Sequence, residues 1–306
     1  MTTRERVIPS FEVAAVLGPR RPLKGPVMRL VKQFVAVAVV ALVGGQLVTA
    51  TRENALATAV VGATTAVLAL LVYAWVVRRT ERRRVTELAP AGIVTGLVPG
   101  AVLGAGTFTA VIAAIGLFGG YRFTGWSTRN DLVAAAGFMA AAAVTEELLF
   151  RGVLFRIVEG RVGTWLALVV SAALFGLMHL LNPHATVGGV AAIAVEAGGM
   201  LGAAYVATRR LWVPIGLHLG WNVAESGIFG TAVSGKSDFT GLVEGTMSGP
   251  SLLTGGEFGP EASLVSLGAC LLMTVVFLCW AGRHGRLVPR RSRRVAPVEA
   301  AATLAR

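Results

Sequence analysis

Charge is what this sequence has least of. Only 14% of its 306 residues are Asp, Glu, Lys or Arg, whereas 55% are hydrophobic and the mean hydropathy is +0.70. So few charges cannot cover the surface of a soluble protein of this length, so the ordinary globular classes are excluded. Cysteine is also scarce. The two present, Cys270 and Cys279, fall in one apolar block, too far apart along a helix to pair. They lack metal-ligand spacing and read as small packing residues. No Ser-His-Asp arrangement is apparent and no internal repeat is found.

What is abundant is apolar sequence in long blocks, without the alternation of a strand or the single face of a surface helix. Eight blocks reach or approach the roughly 20 residues that cross a bilayer: 33–50, 55–77, 92–118, 132–150, 164–181, 186–208, 211–229 and 262–282. The expected class is an all-α, polytopic membrane helix bundle with about eight transmembrane helices. A basic amino-terminal tail (1–28), one transmembrane domain (29–283) and a basic carboxy-terminal tail (284–306) make up the expected organisation. The first block is preceded by a long polar and basic stretch, unlike the short charged start of a signal peptide. "LVTA" at its end resembles a cleavage site and keeps that alternative open.

The formal net charge of +12 could suggest nucleic acid, but its distribution does not. With an inner amino terminus and eight alternating spans, 24 of the 28 Lys and Arg fall on inner segments. Basic residues are retained on the cytoplasmic side, so both termini are expected inside. No nucleic-acid partner is expected; the basic tail has anionic lipid as its natural partner. The segment 230–261, rich in Gly, Ser and Thr, reads as an exposed, mobile outer loop, with a substrate lid as the lesser alternative.

Ionisable residues within spans mark functional sites by default. Here they gather in the second half of the chain: Glu146, Glu147, Arg151, His179, Glu196, His218 and Glu225, with Asn222 beside them. In "AVTEELLFRG" (143–152), Glu147 lies one helical turn before Arg151 and can pair with it. Glu146 is rotated by about 100° from that face and stays free to exchange a proton. Burial raises the proton affinity of a carboxylate, which suits a general base near neutral pH. The competing reading is a charge cluster snorkelling to the interface. "FGLMH" puts Phe175 and His179 on one face, and "HLGWN" does the same for His218 and Asn222. Glu225, one turn further, is a candidate partner for that face; Glu196 receives no role.

The ordered set E-E-x-x-x-R, F-x-x-x-H and H-x-x-x-N resembles the signature of the type II CAAX prenyl endopeptidase and bacteriocin-processing family, the Abi or CPBP intramembrane proteases. The resemblance covers about residues 130–225, and every motif position is intact. It implies that Glu146 and His179 activate the hydrolytic water, that Glu147 and Arg151 support them, and that His218 with Asn222 stabilises the oxyanion. Peptide hydrolysis does need a base that can later act as an acid, and donors aimed at the developing oxyanion. Glu146, His179 and His218 could also hold a zinc-type ion with an open position, although the spacing is unlike a compact H-E-x-x-H site. The family has been described both ways, so a metal cofactor is left open.

A conflict of depth accompanies this reading. Were the fourth span to end at Phe150, Glu146 would sit near one face and His179 near the other, about 20 Å apart by helix rise. A continuous helix from about 132 to 159 would relieve it. The expected partner is a membrane-anchored or amphipathic peptide. A bacterial cytoplasmic membrane is suggested by Arg-heavy, Lys-poor usage. The alternatives are a non-proteolytic scaffold or immunity protein on the same fold, and a proton-coupled transporter. Transporters often repeat their interrupted spans in both halves, whereas these ionisable groups occupy one.

Overall fold

The computed structural model describes residues 25–290. The expected basic tails lie outside the described residues except for 25–28 and 284–290; the first helix already begins at Pro26. Seven helices are long and apolar enough to cross a membrane: α1 (Pro26–Ala50), α2 (Ala55–Glu81), α3 (Ile93–Leu117), α4 (Leu132–Val162), α5 (Thr164–Leu181), α6 (Val187–Thr208) and α8 (Leu264–Arg283). The seventh expected block forms α7, residues 212–228. It is α-helical over 11 residues and π-helical over the last 6, which leaves it shorter than the seven spans. The chain is a multi-pass, all-α membrane bundle with one small sheet.

Polarity is distributed inside out. Leu42, Leu71, Val102 and Leu272 are exposed while Glu147 and Arg151 are fully buried. A lipid-facing surface has no reason to hide leucine, and an unpaired charge in hydrocarbon is costly. Apolar side chains therefore point out, and the ionisable ones meet at the centre.

Glycine sets how the spans approach. A Cβ on Gly216 or Gly220 of α7 would lie about 2 Å from the Leu97 or Ala101 carbonyl oxygen of α3 (2.2 and 2.0 Å). Small residues four apart allow such backbone contact between membrane helices. Two residues of helix turn through about 200°, so seating Gly216 and Gly220 on α3 turns His218 to the opposite side. Gly137 does the same for α4, where a Cβ would meet Ala59 Cα at 2.3 Å. Nine residues on, about half a turn out of phase by helix geometry, Glu146 faces inward.

The expected continuous helix through "GVLFRIVEG" is present: α4 runs unbroken for 31 residues. Its stretch Leu148–Phe155 is π-helical, as are Ala194–Gly199 in α6 and Val223–Ile228 in α7. Such widened turns occur often at functional sites, and these three each follow or contain an ionisable residue singled out from the sequence, whereas a fourth, Ile93–Leu97 at the start of α3, does not.

The 230–261 loop is exposed over much of its length, as expected, but it also carries a strand and buried residues. Strand β2 (Val243–Met247) pairs antiparallel with β1 (Tyr121–Trp126). Asp131 and Thr240 exchange hydrogen bonds at 2.8 and 2.9 Å. The segment then turns inward, burying Ser234, Phe258 and Glu261. Its scattered apolar residues pack against the bundle without any period that would betray them.

The opposite end of the bundle is locked by ion pairs. Arg156 bonds Glu81 and Gln33, Arg83 bonds Glu81 and Glu87, and Arg209 bonds Glu159. Burial works against ionisation of Glu87. Hydrogen bonds from Arg83 and Tyr73 outweigh it and hold its carboxyl below the usual range.

Candidate active site

One cavity of about 90 Å³ lies between α4, α5, α6, α7 and the 230–261 segment. A water needs on the order of 10–15 Å³ by this measure, so several fit. Glu146, His179, His218 and Asn222 all line it, which resolves the conflict of depth. Glu146 stands near the middle of the long α4, and the inward-turning loop adds Ser234 and Glu261 to the lining. Glu147 and Arg151 stand behind this lining, fully buried.

Glu147 is the anchor of the arrangement. Its Oε1 accepts from Arg151 Nη1 at 2.7 Å, one helical turn away, and lies 3.0 Å from His218 Nδ1. The guanidinium also donates to the carbonyls of Ala197 at 2.6 Å and Gly198 at 3.3 Å, in the π-helical stretch of α6. One ion pair thus ties α4 to α6 and α7. Because a carboxylate only accepts, His218 donates through Nδ1–H and directs Nε2 into the cavity. That nitrogen lies 3.9 Å from Glu146 Oε2.

His179 is oriented by a different device. Its Nδ1 lies 2.8 Å from the Phe175 carbonyl oxygen of its own helix. The carbonyl can only accept, so Nδ1 carries a proton and Nε2 is left without a partner in that bond. Phe175 is the hub beneath both imidazoles. Its ring centroid is 4.9 Å from that of His179 and 6.2 Å from that of His218, and the Arg151 guanidinium lies 4.8 Å above it. Aromatic contacts of this geometry add to simple burial. The motif phenylalanine therefore holds the two histidines and the arginine in register.

Asn222 lines the same wall, one turn beyond His218. Among the described residues its side-chain amide has no hydrogen-bond partner in the protein, and it stays available to a ligand. Glu225 does not support the 218–222 face as the sequence reading suggested. Its Oε2 accepts from the Trp221 indole at 3.0 Å, and its carboxyl meets that of Glu261.

Several lining residues were not foreseen. Glu196, given no role from sequence, faces the cavity, as do Asn182, Ser234 and Glu261. Glu261 follows a loop proline and belongs to no apolar period, so only the burial of its surroundings could have revealed it. Burial pushes its carboxyl up, against hydrogen bonds from the Ser234 hydroxyl and N–H. Cys270 also touches the cavity, and neither cysteine is paired.

Among the described residues no three His, Cys, Asp or Glu side chains are grouped to hold a metal ion. Nδ1 of each imidazole is engaged, one by Phe175 and one by Glu147, which leaves Nε2 of both rings free.

No curated protein and no solved structure matches the chain. Residues 128–224, the segment that contributes Glu146, Glu147, Arg151, His179, His218 and Asn222, match the family model of the Rce1-like type II CAAX prenyl endopeptidases.

Proposed function

We propose that the chain is an intramembrane endopeptidase that hydrolyses a peptide bond of a membrane-associated substrate with a water activated by Glu146 and His179. The observation carrying this reading is the shared cavity: a free carboxylate, two oriented imidazoles and an unengaged amide line one space large enough for water. The family match supports the reaction class.

The water gives a proton to Glu146 as its oxygen attacks the peptide carbonyl carbon. His179 Nε2 accepts the second hydrogen bond of that water and fixes its lone pair on the carbonyl. Glu146 then passes its proton to the amide nitrogen as the C–N bond breaks, serving as base and then acid. The oxyanion is met by Asn222 and by His218. Glu147 stabilises the protonated form of His218 at 3.0 Å, so that Nε2–H becomes a donor. Arg151 holds the Glu147 carboxyl in place. No step requires a metal.

The cavity opens where Lys236 and Asp238 are exposed, beside the α1–α2 turn at Arg52. This is the end opposite the Arg83, Arg156 and Arg209 ion pairs. If basic residues stay cytoplasmic, substrate enters from the outer side. An amphipathic peptide or the exported end of a membrane protein then fits better than a lipidated tail on the inner leaflet.

The test is peptidase activity of the purified protein on membrane-anchored peptides, comparing wild type with Glu146→Ala and His179→Ala. Turnover by wild type alone supports the reading. Equal turnover in all three ends it in favour of a non-proteolytic scaffold.

A further inference from the structure

Among the described residues, buried carboxylates are paired with cations everywhere but in one place. Glu81, Glu87 and Glu159 bond arginines at the basic end, and Glu147 bonds Arg151 at the centre. Glu196, Glu225 and Glu261 are 2%, 0% and 4% exposed, yet among the described residues none of them forms a salt bridge. All three come together beside the catalytic cavity. Glu196 and Glu261 line it, and Glu225 meets Glu261 carboxyl to carboxyl.

Their hydrogen bonding is incomplete in the same direction. Glu261 Oε2 is held by the Ser234 N–H and hydroxyl, both at 2.7 Å. Glu225 Oε2 is held by Trp221. Oε1 of Glu225 and Oε1 of Glu196 are buried with no donor in the protein. Buried polar atoms are satisfied almost everywhere in folded proteins, and orphans need an explanation. Three acids, two with orphan oxygens, require either protons or a positive charge brought from outside. Glu196 and Glu261 face the space a substrate would fill, with Glu225 behind Glu261, whereas the remaining basic side chain at the cavity, Lys236, stays exposed at its mouth.

Deepening the proteolytic reading, on which it rests, we propose that Glu196, Glu225 and Glu261 form a subsite for one basic side chain, lysine or arginine, of the peptide substrate. The subsite selects peptides with a positive residue near the scissile bond and holds them by an ion pair that forms only when water is excluded. Its third member comes from the 230–261 segment, so the folding of that segment over the bundle completes substrate recognition.

The experiment uses amphipathic peptides that are identical except for one position, walked along the chain, holding lysine, norleucine or glutamate. Binding is measured by fluorescence anisotropy on the full-length Glu146→Gln protein, and cleavage on wild type. Lysine at one position is expected to improve both affinity and kcat/KM at least about tenfold over norleucine, with glutamate poorest. The preference should vanish when Glu196, Glu225 and Glu261 are all changed to glutamine. Should that variant fail to fold, Glu196→Gln alone, which breaks no hydrogen bond of the protein, is expected to reduce it. Equal binding of lysine and norleucine peptides at every position overturns the subsite, whether or not peptides are cut. Binding preference without cleavage upholds the subsite and overturns the protease. Stabilisation of wild type by Na⁺ or Ca²⁺ without any lysine preference assigns the acids to an inorganic ion and overturns the proposal.

Discussion

Glu147 and His218 lie 71 residues apart in sequence and 3.0 Å apart in space, with the carboxylate Oε1 facing Nδ1 of the imidazole. This contact decides which nitrogen of His218 faces the cavity, and hence whether the ring can act on substrate. The same oxygen holds Arg151 at 2.7 Å. One atom thus joins Arg151, behind the cavity wall, to His218, which lines it.

Removing that carboxylate is expected to damage the fold more than removing its neighbour. Glu147→Ala leaves Arg151 buried without a counter-charge, a loss of roughly 3–5 kcal/mol for a broken buried pair. Glu146→Ala, at a partly exposed side chain lining the cavity, should be close to neutral. Unfolding midpoints of the two variants in the same detergent measure the difference. Equal midpoints would deny Glu147 its anchoring role.

The oxyanion assignment makes a kinetic distinction. Asn222→Ala is expected to lower kcat by about 10²–10³-fold, the usual cost of one oxyanion donor, with little change in KM. A rise in KM at constant kcat would move Asn222 from the transition state to ground-state binding.

Glu87 gives a pH signature away from the site. Its carboxyl is held below the usual value of 4.5 in the folded protein, where hydrogen bonds from Arg83 and Tyr73 outweigh burial. A depressed folded pKa stabilises the protein above the unfolded value, and this contribution is lost as pH falls through the folded one. Thermal stability should therefore decline below about pH 4.5, and less so in Glu87→Gln. Identical acid profiles would contradict the pairing.

Much of this was legible in the sequence because lipid imposes a strict rule. Spans must be apolar, and ionisable residues within them stand out, so the eight blocks and all six motif residues could be located by inspection. The Glu147–Arg151 pair followed from helical spacing alone. The contact with His218 did not, because it depends on how α7 is rotated by Gly216 and Gly220 against α3. Nor did Glu261, since the 230–261 segment folds through individual contacts such as Ser234 with Glu261 and Asp131 with Thr240 rather than through a repeating pattern. The π-helical stretches leave no trace in hydrophobic periodicity.

Sidedness can be tested through the cavity mouth. With Cys270 and Cys279 replaced by alanine, Lys236→Cys is expected to react with a membrane-impermeant maleimide added outside intact cells. Arg83→Cys, at the other end, should react only after permeabilisation. The reverse pattern would put the entrance on the cytoplasmic side.

The most direct measurement of the central claim is the rate of peptide cleavage by Glu146→Gln, which keeps the shape of the side chain and removes its ability to take a proton. With the variant folded as wild type is, kcat is expected to fall by about 10²–10⁴-fold, the range of a lost general base. Cleavage at an unchanged rate would mean that the water is activated elsewhere and would contradict the assignment.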